Sequence, residues 1–593
     1  MDISNSQLFC SYNVLSGLLK KFRLSIKHSK TETFHFNRSH GMFNPPPLDL
    51  SPLGGPILCP KSSWKYLGFI FDWKLTFHQY IDFYLNKAIS TVKCIKLLGN
   101  STRGISPIQK RLLYRCYVLL IVLYGFQLWF YNKAPLSYPL KILGKMQRRA
   151  AIWILGAFRT SPTKGLKAIA GLISIKLHLH KLASRSQLRS AALPENHLIK
   201  TLINDSPNVY IKPSPYLINM LTDCQKNSVK GHLIDSYNKL HGVFPSFSPL
   251  DPELNLGSRI IDIFQNRFSF NLASKAKNDS AHSQQLDDMM ILSSMSPHTA
   301  IVVSNASIKN NIATLVLHIH IWDNPLIKTV HHAAYITSTE AELFTIRCRL
   351  SQVCNKENIS KIIVITDSIH IAKKIFNTKS HPYQIHTTAI LNELQQFFTT
   401  CQGNHIEFWE CPSRLKWNLH KSTDKDSKVF KPIPVLLSKI SWDFCKKVDS
   451  DNYINLWKMT FQASDGKGKQ FYDLIDDNLE IIEPSYTKGG PWLQSFGHSN
   501  LLCARATRAI TNHVPIGEYH LRFFPKEDFK CPCGYYPIET RRHILYKCTR
   551  HNGYWNTRRN TLSHFIMFLS ANSEAFTFTD NVSSVVPSWS WND

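Results

Sequence analysis

STEAELFTIRCRLSQV, Ser338 to Val353, and KIIVITDS, Lys361 to Ser368, decide how the middle of the chain folds. The first stretch has the pattern of an amphipathic helix, and Thr339 followed three residues later by Glu342 predicts a capping box at its start. The second is a short apolar strand ended by Asp367. Upstream, TAIVVSN (299–305), IATLVLHIHIW (312–322) and LIKTVHHAAYI (326–336) read as strands. Downstream, IHIAKKIF (369–376) and TTAILNELQQFF (387–398) read as helices, and HIEFWE (405–410) as a fifth strand. The order β-β-β-α-β-α-β-α predicts a mixed sheet covered by helices over 299–430, within a multidomain α+β chain.

The acids of this region sit at element boundaries. Glu342 lies on the first helix, where it can face the end of the strand that Asp367 closes. Asp424, in LHKSTDKD, follows the last strand by a loop and is expected to open the final helix; Asp426 is the alternative. Acids converging on one sheet edge repel one another and so imply a cation. Hard carboxylate oxygens hold Mg2+, and a pair of such ions can activate water and stabilise a leaving oxygen.

These residues resemble the type-one ribonuclease H domain of retrotransposons. The family's A-E-L corresponds to Ala341-Glu342-Leu343, its T-D-S to Thr366-Asp367-Ser368, and its last acid to Asp424. Its opening T-D-G-S is represented by Ser304-Asn305-Ala306-Ser307, so Asn305 stands at the first-acid position. An amide oxygen is neutral and a weaker Mg2+ ligand than a carboxylate. The resemblance implies Mg2+ at Glu342, Asp367 and Asp424, and the substitution implies crippled or absent cleavage of RNA–DNA hybrids.

The flanks carry a related resemblance. Phe22-Arg23-Leu24-Ser25 with Lys30-Thr31-Glu32 is similar to the palm segment of non-LTR retrotransposon reverse transcriptases, where a lysine approaches the incoming triphosphate. Trp64-Lys65-Tyr66-Leu67-Gly68 with Phe71-Asp72 resembles the hairpin that grips the primer. The resemblance continues through Tyr124-Gly125, Gln147-Arg148-Arg149-Ala150 and Trp153 into the linker before the nuclease. It implies a palm remnant with primer grip over 1–77 and a helical thumb or connection over 78–200. A Tyr-x-Asp-Asp hairpin, which the family needs to hold Mg2+ at the primer terminus, is expected shortly before Asn13 and is not in the sequence. RNA-directed DNA polymerisation is therefore not expected, and the chain reads as a truncated relative.

Near the C-terminus, CPCGYYPIETRRHILYKC places Cys531, Cys533, His543 and Cys548 as C-x-C-x9-H-x4-C. Four soft ligands suit a closed, structural Zn2+ site. Arg505, Arg508, Arg541 and Arg542 lie before or within it, and the segment 501–560 resembles the end of fungal elements of this kind. With Lys30, Lys65, Arg148 and Arg149, these arginines are the candidate contacts to nucleic acid.

Composition agrees. A formal net charge of +29 over 593 residues suits RNA, DNA or an RNA–DNA hybrid as partner. It leaves no expectation of a small-molecule substrate. Most cysteines are scattered singly, which suits a reducing compartment, and the expected setting is intracellular and nuclear. The N-terminus lacks the pattern of a signal peptide. CYVLLIVLYGFQLWFY, 116–131, is shorter than the roughly 20 residues that span a bilayer and is expected to be a buried helix, with no membrane partner. The spans 201–298 and 431–500 read as linker and connector, with linker-like KAKNDSAHSQQ (275–285), and 571–593 as a flexible tail.

Overall fold

The computed structural model describes residues 2–36, 46–130, 136–191, 197–198, 261–273, 279–309, 312–321, 326–334, 336–377, 383–415, 417–428, 442–462, 482–485, 489–526, 528–551 and 561–577. The described residues divide into two compact units. One holds those up to Ala183 with those from Asn452 onward; the other holds those from Ser184 to Asp451.

The second unit is built on a mixed six-stranded sheet. In chain order its elements are β1 (Phe268–Asn271), α1 (Asp279–Ser294), β2 (Thr299–Lys309), β3 (Ile312–Ile321), β4 (Ile327–Ala334), α2 (Ser338–Val353), β5 (Lys361–Thr366), α3 (Ile369–Ile375), α4 (Gln384–Thr400), β6 (His405–Glu410) and α5 (Asn418–Lys428). The strands lie in the order β1-β6-β5-β2-β3-β4. β2, β3 and β4 form an antiparallel meander, while β1, β6, β5 and β2 run parallel.

Two elements arise where a linker was expected. Phe268 and Phe270 of β1 point to one face, where Phe268 stacks on Phe376 at 4.0 Å and Phe270 on Phe408 at 5.2 Å. α1 falls partly within 275–285; its Leu286 and Met289 pack beneath Ile301, Val303, Ile363 and Ile365. A four-residue edge strand is too short to show periodicity, and a helix with few apolar contacts shows little.

The period-2 alternation of β2 and β5 sorts the core. Val302, Ile362 and Val364 face Leu343, Ile346, Leu350 and Leu394, whereas Ile301, Val303, Ile363 and Ile365 face α1 and Trp417. Each such side chain, fully buried, is worth about 1.5–3 kcal/mol. α2 is capped two residues earlier than expected. Thr337, in extended conformation, accepts from the Glu340 amide at 3.2 Å, and the Glu340 carboxylate returns to the Thr337 amide. The pair at Thr339 and Glu342 does not form; Glu342 instead accepts from the Ala306 amide at 3.0 Å.

The first unit is mainly helical. A hairpin, Ser63–Tyr66 with Phe69–Asp72, turns tightly at Leu67 and Gly68. The helices His78–Ile95, Ser137–Leu155 and Thr163–Ile169 share one hydrophobic core with Pro491–Phe496, Asn500–Thr511 and Leu562–Ala571. The 431–500 span, expected as a connector, thus contributes Trp492 to that core, and also holds the helix Trp442–Gln462. The expected tail is anchored at its start, where Ala575 and Phe576 are buried; 578–593 lies outside the described residues.

Pro107–Leu128 is the one described helical stretch long and apolar enough to cross a membrane. It is not the wholly buried helix expected for 116–131. Tyr114, Val118, Leu119 and Val122 face the core, whereas Tyr117 and Leu120 are exposed.

Candidate functional sites

The sheet edge brings together the residues expected from the ribonuclease H resemblance. Asn305 on β2 is buried, and its amide nitrogen donates to Asp424 Oδ1 at 3.3 Å. Glu342 on α2 is buried, and its Oε1 accepts from the Ala306 amide at 3.0 Å. Asp367 follows β5, on the strand next to β2. Asp424 does not open its helix; it sits in the middle of α5, where Lys428 donates to its Oδ2 at 2.5 Å. Asp426 points away, with His318 Nε2 at 3.2 Å and Lys328 Nζ at 3.7 Å. Asp424, rather than Asp426, is the acid beside Asn305.

The electrostatics follow from burial. Glu342 is pushed up to about 8, first by desolvation and then by the Asp367 charge, against the opposing Ala306 N–H. Glu342 Oε2 and Asp367 Oδ1 are buried without hydrogen-bond partners. Orphaned carboxylate oxygens that repel one another are the donor set a hard divalent cation requires. Glu342, Asp367 and Asp424 have the donor chemistry for such an ion, but their oxygens are not gathered within metal-binding reach of one another. Asn305 does not add a charge, and the amide N–H it turns toward Asp424 cannot bind metal.

Sequence reading missed His420. It lies one turn before Asp424 on α5, is buried, and its Nε2 has no hydrogen-bond partner. Burial pulls its basicity down, while the nearby Asp367 and Asp424 charges push it up. The signal was present: the i, i+4 spacing of His420 and Asp424 puts both on one helix face.

The second candidate centre is the cysteine–histidine cluster. Ligand atoms of Cys531, Cys533, His543 and Cys548 all lie within 4.8 Å of one another. Cys531 Sγ and Cys548 Sγ are 3.8 Å apart, and Cys533 Sγ is 3.3 Å from His543 Nε2. Zn–S bonds of about 2.3 Å imply tetrahedral edges of about 3.8 Å, so the donors fit zinc in both chemistry and spacing. Disulfide bonding needs about 2 Å, and every described cysteine is a free thiol.

Local structure delivers these ligands. Gly534, in the left-handed region, closes a turn in which its amide donates to the Cys531 carbonyl at 3.0 Å. Thr540 caps the short helix Arg541–Tyr546 and so presents His543. The cluster is tied to the rest of its unit through Gly517, where a Cβ would lie 1.9 Å from the Phe529 carbonyl oxygen. Around it, the Glu518 amide donates to the Glu539 carbonyl at 2.9 Å, and Tyr536 stacks on His543 at 4.2 Å.

The candidate nucleic-acid residues separate by burial. Lys30, Lys65, Arg149 and Arg542 are exposed. Arg149 borders a shallow pocket with Lys93 and Lys96. Burial, and then the Arg149 and Lys93 charges, hold Lys96 below its usual range. Arg148 is half-buried and donates to Thr163 and to the Arg159 carbonyl. Arg541 donates to the Ala509 and Ile510 carbonyls at 3.1 and 3.3 Å, closing the end of Asn500–Thr511.

Arg505 and Arg508 correct the expectation made for them. Both are buried. Arg505 donates to the Ala575 carbonyl at 2.7 Å and also to that of Asn572, and Arg508 to the Gly156 carbonyl at 3.3 Å. Guanidiniums held inside by main-chain oxygens are not offered to phosphate. Lys110 and Arg111 behave alike: Lys110 donates to the Asn100 carbonyl at 2.6 Å, and Arg111 to the Ala170 carbonyl at 3.0 Å.

No protein-family model matches the chain, and no curated protein sequence matches it. Among solved structures it is similar to ribonuclease H1 from the halophilic archaeon Halobacterium salinarum NRC-1, at 11% identity over 21% of this chain and 92% of that one, with a TM-score of 0.17. It is also similar to the protease–reverse transcriptase of prototype foamy virus, at 11% identity and a TM-score of 0.18; that match covers 23% of this chain and 22% of the viral one.

Proposed function

We propose that the chain is a nucleic-acid-binding protein derived from a retroelement reverse transcriptase of the non-LTR type, with a ribonuclease H-like domain whose hydrolysis of RNA–DNA hybrids is impaired. The observation that carries this reading is the pair Asn305 and Asp424. Where the family places a carboxylate, an amide donates to the remaining acid at 3.3 Å.

In this reading Glu342, Asp367 and Asp424 would hold Mg2+, which when bound supplies an activated water and charge stabilisation at the scissile phosphate. The chain's own residues limit that chemistry. Asn305 and Lys428 both occupy Asp424, and Glu342 must give up a proton from a group pushed up to about 8. Binding is carried elsewhere, by exposed basic side chains such as Lys65, Arg149 and Arg542 and by the segment pinned at Cys531, Cys533, His543 and Cys548 around structural zinc. Exposed Tyr535 offers a stacking face for an unpaired base. The free thiols of the described cysteines fit a reducing compartment, and a nuclear setting is part of this reading.

A labelled RNA–DNA hybrid tests this directly. The wild-type chain is expected to bind it with a steep salt dependence and to cleave it in Mg2+ on the order of 10²-fold more slowly than Asn305→Asp. Equal cleavage by the two proteins refutes the impairment. Absence of salt-dependent binding refutes the role.

A further inference from the structure

The helices His78–Ile95 and Ser137–Leu155 pack together, and a shallow groove between them is lined by Ile89, Val92, Lys93, Lys96, Met146 and Arg149. Ile89, Val92, Lys93 and Lys96 stand at i, i+3, i+4 and i+7, so a single helix face and its continuation supply them. Met146 and Arg149 stand at i and i+3 on the facing helix. Val92 and Met146 are buried and Ile89 is half-buried, whereas Lys93, Lys96 and Arg149 are exposed. The groove thus has an apolar floor and three cations around it.

No acid lines this groove, and among the described residues no carboxylate pairs with any of the three cations. Burial, and then the Arg149 and Lys93 charges, hold Lys96 below its usual range, and no negative charge opposes them. The negative end of the helix dipole accounts for lysines at the end of His78–Ile95. It does not account for Arg149, which lies inside its own helix and faces the same groove. Three converging cations repel one another, and an anion in the groove offsets that repulsion.

The count and the floor define the anion. An internal phosphodiester carries one charge, and its strand continues on both sides. A terminal phosphomonoester carries about 1.5 to 2 negative charges near neutral pH and can enter a groove from its end. The Arg149 fork suits two phosphate oxygens, and the lysines act as point charges. The apolar floor suits the sugar and base edge of the end nucleotide. We propose that Lys93, Lys96 and Arg149 form a site for the terminal phosphomonoester of a nucleic-acid strand, with Ile89, Val92 and Met146 beneath its end nucleotide. This rests on the reading that the chain binds nucleic acid, and deepens it by naming the part of the strand that is recognised.

The test uses the zinc-loaded full chain and three single-stranded oligonucleotides of one sequence, about ten nucleotides long. One carries a 5′-phosphate, one a 3′-phosphate and one neither, each with an internal dye for fluorescence anisotropy. A phosphorylated end is expected to bind about tenfold more tightly than the bare strand, the gain from one further charge-assisted contact. Lys96→Met keeps the aliphatic stem and is expected to cut that preference to about twofold or less. Lys65→Met, outside the groove, is expected to weaken all three strands alike. The wild-type preference does not depend on any variant folding. Equal affinity for the three strands, with salt dependence retained, overturns the groove site and leaves the nucleic-acid reading standing. Absence of salt-dependent binding to all three overturns both. Loss of the preference in Lys65→Met as well would mean general charge and overturn the groove. Adenosine monophosphate competing as well as the phosphorylated strand would assign the groove to free nucleotides and overturn the strand end.

Discussion

The cysteine–histidine cluster and the carboxylate nest are both sites of converging metal-type donors, and they differ in completeness. At the first, all four ligands are present and their atoms lie within 4.8 Å of one another. At the second, the Asn305 amide donates toward Asp424, and Glu342 is pushed up to about 8. Neutral thiols and an imidazole can sit close together before metal arrives, whereas neighbouring carboxyls do so only when one holds a proton. Tightness thus reflects ligand chemistry, and charge and hydrogen-bond direction distinguish the two sites.

Four experiments test this contrast. The largest effect is expected from the complete site. Zinc-binding free energy in small knuckles is on the order of 10 kcal/mol and is folding energy. Chelation, or Cys548→Ser, is expected to abolish amide-exchange protection around Arg541–Tyr546 while leaving β2 and β5 protected. Loss of protection in both regions would mean the cluster is not an independent staple.

Next comes Arg505→Met. The buried guanidinium serves the Ala575 and Asn572 carbonyls, and its loss leaves them unpaired at a cost of about 1–3 kcal/mol each. Chemical denaturation should register this, whereas the salt dependence of hybrid binding should be unchanged. A reduced salt slope would return Arg505 to the interface.

The third concerns pH. Burial and the neighbouring Asp367 charge push Glu342 up to about 8 in the folded unit, above the ordinary glutamate value of about 4.5. Its folded-state pKa is raised, so its contribution is fully present below about 4.5 and is lost as pH rises toward 8. The loss is about 1.4 kcal/mol per pH unit across that interval. Metal-free wild type should therefore lose thermal stability over this window relative to Glu342→Gln, and a divalent cation should reduce the difference. Parallel pH profiles without metal would contradict the assignment.

The smallest effect is at the surface. Arg149→Ala should lower the slope of log affinity against log salt by about 0.9 for one phosphate contact, with no stability change beyond about 0.5 kcal/mol. An unchanged slope would remove Arg149 from the interface.

Much of the nest was legible beforehand. Glu342 and Asp367 are recognisable because strand-end and helix-face positions follow from hydrophobic periodicity, whereas Asp424 came from the family resemblance, with Asp426 as the alternative, and lies inside its helix rather than at its start. His420 was not recognised, although its spacing from Asp424 was visible, because a lone histidine carries no sign of being buried without a partner. The capping box was placed two residues late because both Thr337–Glu340 and Thr339–Glu342 satisfy the pattern; in the fold Glu342 accepts instead from the Ala306 amide of a neighbouring strand. β1 and α1 were taken for linker because their burial depends on surfaces supplied by Phe376, Phe408, Ile301 and Ile363, far away in sequence.

By itself, the sequence determined the alternation of strands and helices around the nest, the amide at position 305 and the ligand spacing from Cys531 to Cys548, because these depend on residue identity and short-range period. Only the tertiary structure decided which basic residues face solvent. Lys110, Arg111, Arg505 and Arg508 count toward the formal charge of +29 yet lie buried, three of them within hydrogen-bond reach of main-chain carbonyls at 3.0 Å or less. Net charge sums side chains wherever they lie, whereas an electrostatic surface requires exposure, which only the packing of distant elements sets.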